Sequence, residues 1–133
     1  MPSISVRRLF NDNVNKLDLV WVAGTSGGDH RIHTDDQRPT LALVGHVNLI
    51  HPNSVQVFGL AEVQYLNAQS PEEGKRMLDQ LFALAISAII VANDQALPKG
   101  LRSHCEQHNV PLMTSSQPSP YLMDVLRIYL ARV

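Results

Sequence analysis

The 133 residues of the chain fit one ordinary domain, and its 44% hydrophobic and 17% charged residues are typical of folded globular proteins. Eleven basic and twelve acidic side chains leave a net charge of −1, and only 5% of the residues are aromatic. A nucleic-acid-binding surface needs clustered cations and stacking platforms, so none is expected.

The cysteine content and the hydropathy pattern indicate a cytoplasmic setting. Cys105 is the one cysteine of the sequence, so no disulfide can form within the chain, and a reducing compartment is expected. The first eight residues lack the apolar stretch of a signal peptide. The longest apolar run, residues 83–92, is interrupted by Ser87 and is too short to span a bilayer, so no membrane contact is expected.

The beginning of the chain predicts a short helix and then a strand. Ser5 can cap the helix, in which Val6, Leu9 and Phe10 fall on one face. Residues 19–23 are rich in β-forming side chains and predict a strand.

A glycine-rich turn follows this strand. Residues 24–29 form the turn, and residues 31–34 are expected to form a short partner strand. Pro39 suits the first turn of a helix, which is expected to extend to about Asn48.

The middle of the chain predicts a strand and two helices. Residues 55–58 form the strand, and residues 61–67 form the first helix. The second helix starts after Ser70, which forms a capping-box pattern with Glu73. Its apolar side chains recur at helical spacing and are Met77, Leu78, Leu81, Phe82 and Ala85.

The last third predicts two more strands, each followed by a helix. Residues 86–92 are almost wholly apolar, as expected for a central strand covered on both faces. A helix from about Leu97 to residue 109 places Leu101 and Cys105 inward. Then come a strand at residues 110–113 and a helix after Pro118 with one apolar face, formed by Leu122, Val125, Leu126 and Tyr129.

This order of elements predicts an α/β fold with a mostly parallel sheet and helices on both faces. One domain is expected over residues 1–133. The last helix is still apolar at residues 131–133 and has no stop signal, so a further domain is expected to follow.

The glycine-rich stretch Gly24–Gly28 is the first candidate for a phosphate-binding site. A P-loop needs Gly-Lys-Ser/Thr at the start of a helix, where backbone N–H groups and the lysine meet the phosphates. None of the three lysines, Lys16, Lys75 and Lys99, stands in that motif. A hairpin turn is therefore the favoured interpretation.

A cluster of imidazoles and carboxylates is the second candidate. Such side chains could hold a divalent metal or perform acid/base chemistry. No further ligand that converges on them can be identified, so a solvated loop is favoured over a free-standing enzyme site. The cluster consists of Asp29, His30, His33, Asp35 and Asp36.

Three smaller candidates also have structural explanations. His104 and His108 share one helix face but lack the glutamate of the His-Glu-x-x-His pattern, so surface histidines are favoured. Cys105 is expected to be a small buried side chain and not a nucleophile. Ser115 and Ser116 would need a base nearby, and the sequence identifies none.

Stretches spread over the whole chain carry a family resemblance. They are residues 4–10, 38–45 (Arg-Pro-Thr-Leu-Ala-Leu-Val-Gly), 51–59 with Glu62, Tyr65 and Leu66, 88–93, 108–113 and 118–130. In this order they resemble the amino-terminal domain of the HPr kinase/phosphorylases, particularly of the Gram-negative branch.

The resemblance implies a bifunctional, hexameric parent enzyme. Such enzymes phosphorylate a serine of the phosphocarrier HPr with ATP or pyrophosphate, and they remove the phosphate with inorganic phosphate. Their P-loop, magnesium ligands and catalytic groups lie in a carboxy-terminal domain, which would follow residue 133. The resemblance therefore implies no catalytic, cofactor-binding or metal-binding residue here, and it implies a fold shared with the amino-terminal domains of muramoyl-peptide ligases.

Two functional hypotheses result. The first is a non-catalytic regulatory or assembly domain of such an enzyme, with its own kinase domain, HPr and further copies of the chain as partners. The alternative is a stand-alone α/β domain that senses a nucleotide or another small ligand. Its pocket would lie at the carboxyl ends of the parallel strands, at Gly59, Asn93, Asp94 and residues 114–116.

Overall fold

The computed structural model describes residues 3–33, 48–50, 55–83 and 86–132. Within these ranges the chain forms strands, α-helices and one 3-10 turn at Thr25–Gly27. In chain order they are β1 (Ser3–Ser5), α1 (Val6–Asn13), β2 (Leu19–Ala23), β3 (Arg31–His33), β4 (Asn48–Ile50), β5 (Val55–Phe58), α2 (Leu60–Asn67), α3 (Pro71–Phe82), β6 (Ala88–Val91), α4 (Leu101–His108), β7 (Leu112–Ser115) and α5 (Ser119–Ala131).

Five strands form the main sheet in the order β2-β7-β6-β5-β4. The three central strands β5, β6 and β7 are parallel, whereas β2 and β4 run antiparallel at the two edges. The other two strands, β1 and β3, form a separate antiparallel pair. The predicted α/β fold with a parallel sheet centre is confirmed, and the likeness to muramoyl-peptide ligases stays a prediction.

Strand β6 lies at the middle of the sheet and is buried on both faces. Because side chains alternate along a strand, Ile89 and Val91 pack into one core and Ala88 and Ile90 into the other. The first core contains side chains of α2, α3 and α4, and the second contains side chains of α1 and α5. Helices therefore cover both faces, as the apolar run predicted.

The helix α3 buries the side chains that the sequence pattern selected. Its residues Met77, Leu78, Leu81 and Phe82 all belong to the first core, where Leu101 and Cys105 of α4 join them. Ala85, the last member of the predicted apolar face, lies outside the described residues. A helix of this length is stabilised mainly by this apolar face.

The apolar face of α5 differs slightly from the prediction. Leu122, Leu126 and Leu130 are buried in the second core, whereas Val125 and Tyr129 are only partly buried against it. The buried side chains therefore recur every four residues along the helix, which places them on one side of it.

Side-chain caps fix the starts of two helices. The Ser5 hydroxyl accepts a hydrogen bond from the backbone N–H of Arg8 (3.1 Å), and the Ser70 hydroxyl accepts one from Glu73 N–H (3.2 Å). The Glu73 carboxylate pairs with Arg76 one turn further along. Of the two hydrogen bonds of the predicted capping box, the one from Glu73 N–H to the Ser70 hydroxyl is therefore present, and the Glu73 carboxylate pairs with Arg76 instead of forming the second.

Several boundaries differ from the sequence prediction. The helix expected to extend from Pro39 lies mostly outside the described residues, and Asn48 begins β4. Helix α4 starts at Leu101, because Gly100 in front of it has a left-handed backbone (φ +84°) that interrupts the helix. Strand β7 starts one residue after Pro111, which has no N–H for a ladder hydrogen bond.

Within the described residues, no helix combines the length and the apolar character that crossing a membrane requires.

Candidate functional site

The glycine-rich turn after β2 packs closely against the loop between α4 and β7. Gly24 has a left-handed backbone (φ +67°), and a Cβ atom there would lie 2.0 Å from the carbonyl oxygen of Val110. A Cβ atom at Gly27 would lie 1.9 Å from the carbonyl oxygen of Asn109. The Gly24 N–H donates a hydrogen bond to the Glu106 carboxylate (2.8 Å). The glycines thus allow two backbone segments to touch.

The predicted hairpin between β2 and β3 is wrong. Strand β3 pairs with β1, with Ile32 opposite Ile4, and β2 pairs with β7. The turn is held instead at the start of α1, where Val6 N–H donates to the His30 carbonyl and Arg7 N–H donates to the Gly28 carbonyl, both at 3.0 Å. These two bonds satisfy N–H groups near the helix start and direct the chain towards β1.

The aspartate and histidine cluster is only partly within the described residues. The Asp29 side chain is 93% exposed, and its carboxylate lies 4.0 Å from the Arg7 guanidinium. His33 contributes its backbone to β3, and Asp35 and Asp36 lie outside the described ranges. Among the residues that the structure describes, no three metal-ligating side chains come together. The solvated-loop interpretation stays a prediction.

The two histidines of α4 stack on each other, and an aromatic side chain of α3 stacks on His108 and lies tilted against His104. The rings of His104 and His108 lie 6.2 Å apart, and the Phe82 ring lies 5.5 Å and 5.1 Å from them. His108 is exposed, as predicted. The prediction is wrong for His104, whose side chain is only 12% exposed because it packs between the two helices.

Both ring nitrogens of His104 face hydrogen-bond acceptors. Its Nδ1 lies 2.9 Å from the carbonyl oxygen of Gly100, and its Nε2 lies 2.8 Å from a carboxylate oxygen of Asp79. Only a doubly protonated imidazole donates to both. Lys75 and, to a smaller extent, His104 hold the pKa of Asp79 below its usual value. The contact therefore links α4 to α3 through the His104 ring and the Asp79 carboxylate.

The thiol of Cys105 is fully buried in the first core. Burial, with a smaller contribution from the nearby Glu106 carboxylate, raises the pKa of this thiol to about 12. A reactive cysteine needs a thiolate and access to solvent. The prediction that Cys105 is a small buried side chain is confirmed.

The carboxyl ends of the three parallel strands meet at one edge of the sheet, as the ligand-sensing hypothesis required. The backbone there is closed by hydrogen bonds between neighbouring strand ends. Asn93 N–H donates to the Gln117 carbonyl (2.8 Å), and Asp94 N–H donates to the Ser115 carbonyl (2.9 Å). Asn93 and Asp94 both have left-handed backbones, which turn the chain sharply after β6.

Three polar groups at this edge are hydrogen-bonded within the protein. Gly59 N–H donates to the Glu62 carboxylate (2.7 Å). The Ser115 hydroxyl donates to the Leu17 carbonyl (2.5 Å), and the Ser116 hydroxyl bonds to the Asp18 carboxylate. Neither serine hydroxyl is activated by a histidine in these bonds. The pocket proposed at this edge stays a prediction.

A groove between α3 and α4 could not be read directly from the sequence. One cavity of about 400 Å³ extends from Leu66 to Gln107, and a second of about 450 Å³ lies beside it around Phe82. Lys75 and Lys99 approach the same cavity although they are far apart in the chain. Gly74, a glycine inside a helix, was the one local signal that could have been followed.

Two further polar features, one partly exposed and one buried, also escaped sequence reasoning. The Tyr129 hydroxyl of α5 donates to the Asp12 carboxylate of α1 (2.5 Å). Burial and, to a smaller extent, this carboxylate raise the pKa of Tyr129 to about 12. Gln56 of β5 is fully buried, and its side-chain amide has no hydrogen-bond partner in the part of the chain that the structure describes. Both features depend on contacts between distant segments.

Comparison with known proteins decides the family. The model of the family described as "HPr Serine kinase N terminus" matches residues 4–130. The chain belongs to this family. The resemblance found in the sequence is therefore confirmed.

Relatives in this family are named HPr kinase/phosphorylase. A protein of Chromobacterium violaceum is 64% identical over 132 residues, which are 99% of this chain and 42% of the relative. A protein of Neisseria gonorrhoeae is 56% identical over 132 residues, 99% of the chain and 41% of the relative. A protein of Bordetella pertussis is 36% identical over 129 residues, which are 97% of this chain and 42% of the relative. The chain thus spans about two fifths of the length of these relatives.

A methyl group in the glycine-rich turn should destabilise this domain of the HPr serine kinase family. In Gly27→Ala the new Cβ would overlap the Asn109 carbonyl, so both backbone segments would have to move. We expect a loss of about 1–3 kcal/mol in the free energy of unfolding measured with urea. Gly74→Ala is the control, since no atom lies within 4 Å of its Cβ, and it should gain up to about 1 kcal/mol. Equal stability of Gly27→Ala and the wild type would contradict this packing.

The Cys105 thiol should react slowly in the folded domain. With a pKa near 12 in place of 9.0, the thiolate fraction near pH 8 falls roughly a thousandfold, and burial adds steric protection. We expect 5,5′-dithiobis(2-nitrobenzoic acid) to label the native protein at least about a hundredfold more slowly than the urea-unfolded protein. Native labelling at the unfolded rate would show that the thiol is accessible.

Replacing Asp79 with Asn should reduce stability at neutral pH more than at acid pH. The folded-state pKa of Asp79 is lowered, first by Lys75 and then by His104. The ionised carboxylate therefore stabilises the fold above the unfolded-state pKa of about 4, and this stabilisation is lost as the pH falls through the lower folded-state pKa.

Urea unfolding of Asp79→Asn between about pH 3 and pH 7 checks this expectation. The difference in unfolding free energy from the wild type should be largest near pH 7 and should shrink below about pH 4. Asp124→Asn is the matched control, because it removes an exposed carboxylate whose ion pair in the described part of the chain, with Arg127 (3.3 Å), lies along its own helix. A pH-independent difference for Asp79→Asn would contradict the stabilisation of the ionised carboxylate by Lys75 and His104.

Proposed function

We propose that this domain is a non-catalytic regulatory and assembly module of a bifunctional kinase/phosphorylase. The parent enzyme would phosphorylate and dephosphorylate a serine of the phosphocarrier HPr in the control of carbon metabolism. The proposal rests on the match of residues 4–130 to the amino-terminal family. The relatives named HPr kinase/phosphorylase are more than twice as long as the matched region.

The groups that could have carried chemistry have structural roles in this domain, which supports the proposal. The glycine-rich turn contacts backbone, Cys105 is buried, and the hydroxyl of Ser115 is bonded to a carbonyl oxygen. Under this proposal, the remainder of the parent protein binds ATP and magnesium. The parent acts in the cytoplasm, where HPr is its partner.

The exposed side of α5 supports an assembly role. Tyr121 and Ile128 are 40% and 54% exposed, and Val125 between them is partly buried. Because these positions are spaced by four and three residues, their side chains line one face of the helix. An apolar face of this kind is typical of protein–protein contacts. We assign it to contact between copies of the parent protein.

Phosphoryl-transfer assays test the proposal. Three proteins are compared with ATP, magnesium and purified HPr: residues 1–133 alone, the full-length Chromobacterium violaceum relative, and that relative without the region matched here. We expect transfer by the second and third proteins and none above background by the first. The third should differ in oligomeric state, measured by sedimentation.

Two results would overturn the proposal. The first is phosphoryl transfer to HPr by residues 1–133 alone, which would place a catalytic site in this domain. The second is complete loss of transfer in a shortened relative whose circular dichroism shows that it is folded. The double substitution Tyr121→Ser, Ile128→Ser at the matching positions of the full-length relative tests the α5 face separately, and it should alter sedimentation while transfer continues.

A further inference from the structure

Two adjoining cavities form one groove between α3 and α4, called here the α3–α4 groove. Both cavities are lined by Lys75, His104 and Gln107, so these side chains mark the boundary between them. The first cavity measures about 400 Å³ and reaches the start of α4 at Gly100. Small-molecule sites commonly occupy roughly 300–1,000 Å³. The first cavity is therefore large enough for a small ligand.

The lining of the first cavity combines an apolar floor with cations. Leu66 and Leu78 are buried side chains of the first core and lie at this floor. The described lining residues include Lys75, Lys99 and His104 but no aspartate or glutamate. Such a lining favours a ligand that carries a negative group beside an apolar body.

The two lysines differ in their pairing. The Lys75 ammonium lies 2.9 Å from the Asp79 carboxylate, which borders the second cavity. Lys99 is exposed and makes no ion pair with any described residue. The uncompensated positive charge of the groove therefore lies at the Lys99 end, and the Asp79 carboxylate would repel an anion from the other end.

Gly74 is the residue that packing does not explain. It lies inside α3, where glycine destabilises a helix relative to alanine. Its backbone is not left-handed, and a Cβ atom there would meet no atom within 4 Å. The side of the helix at Gly74 lines the first cavity. Gly74 therefore contributes no side chain to the groove, although the packing of the fold does not require a glycine there.

We propose that the first cavity of the α3–α4 groove binds a small organic anion with a carboxylate or phosphate group on a short apolar body. The Lys99 ammonium contacts the anionic group, and Leu66 and Leu78 contact the apolar body. His104, held by Gly100 and Asp79, forms a fixed wall between the two cavities. This site goes beyond the proposed regulatory function, which is tested separately by the phosphoryl-transfer and sedimentation assays.

Titration with defined anions tests the site. Octanoate and hexyl phosphate are added to the 15N-labelled 133-residue chain, and the amide signals of Gly74 and Gly100 are followed by NMR. We expect saturable shifts with at least one anion, and the stronger of the two identifies the headgroup. The uncharged 1-hexanol should bind at least about tenfold more weakly, because it lacks the charge that Lys99 meets.

Matched variants locate the binding. Lys99→Gln should weaken anion binding about tenfold or more, whereas Lys16→Gln, which removes a lysine outside the groove, should leave it unchanged. Gly74→Leu should fill the cavity and abolish binding, and Gly74→Ala should retain most of it. Urea unfolding of each variant shows whether the fold persists.

Three outcomes overturn the proposal. They are the absence of saturable shifts with both anions, unchanged affinity in Lys99→Gln, and unchanged affinity in folded Gly74→Leu. If Gly74→Leu does not fold, the Lys99→Gln and 1-hexanol comparisons still decide the question.

Discussion

The burial of β6 on both faces is the constraint on which the rest of the fold depends. All four of its residues are buried, so an apolar layer must cover each side of the sheet. The chain meets this requirement with α2, α3 and α4 on one side and α1 and α5 on the other. The α3–α4 groove exists because two of the covering helices pack side by side on the first face and leave space between them.

Much of the fold follows from local patterns, as particular residues show. The run from Ile89 to Val91 predicted the central strand, and Ser5 and Ser70 predicted two helix starts, because these signals act over a few residues. The hairpin prediction failed because β3 pairs with β1 and not with β2. In this pairing Ile32 lies opposite Ile4, which is 28 residues away along the chain. Local turn chemistry carries no information about such a partner.

The candidate sites show the same limit. Burial of Cys105 followed from its position on an apolar helix face, so its role could be predicted. The contact of His104 with Asp79 could not, because it joins two helices that are separated in sequence by a strand. Lys75 and Lys99 likewise share a cavity only after α3 and α4 have packed. Sites built between elements become visible only when the packing of those elements is known.

The hydrogen bond from Tyr129 to Asp12 makes the two sides of the sheet chemically unequal. The pKa of this phenol is raised to about 12, so the hydroxyl keeps its proton and donates the bond that joins α5 to α1. On the opposite side, the link between α3 and α4 is the contact of the His104 ring with the Asp79 carboxylate. The helices on the two faces of the sheet are thus joined by different chemistry, a phenol with a carboxylate on one face and an imidazole with a carboxylate on the other, and the groove lies on the second face.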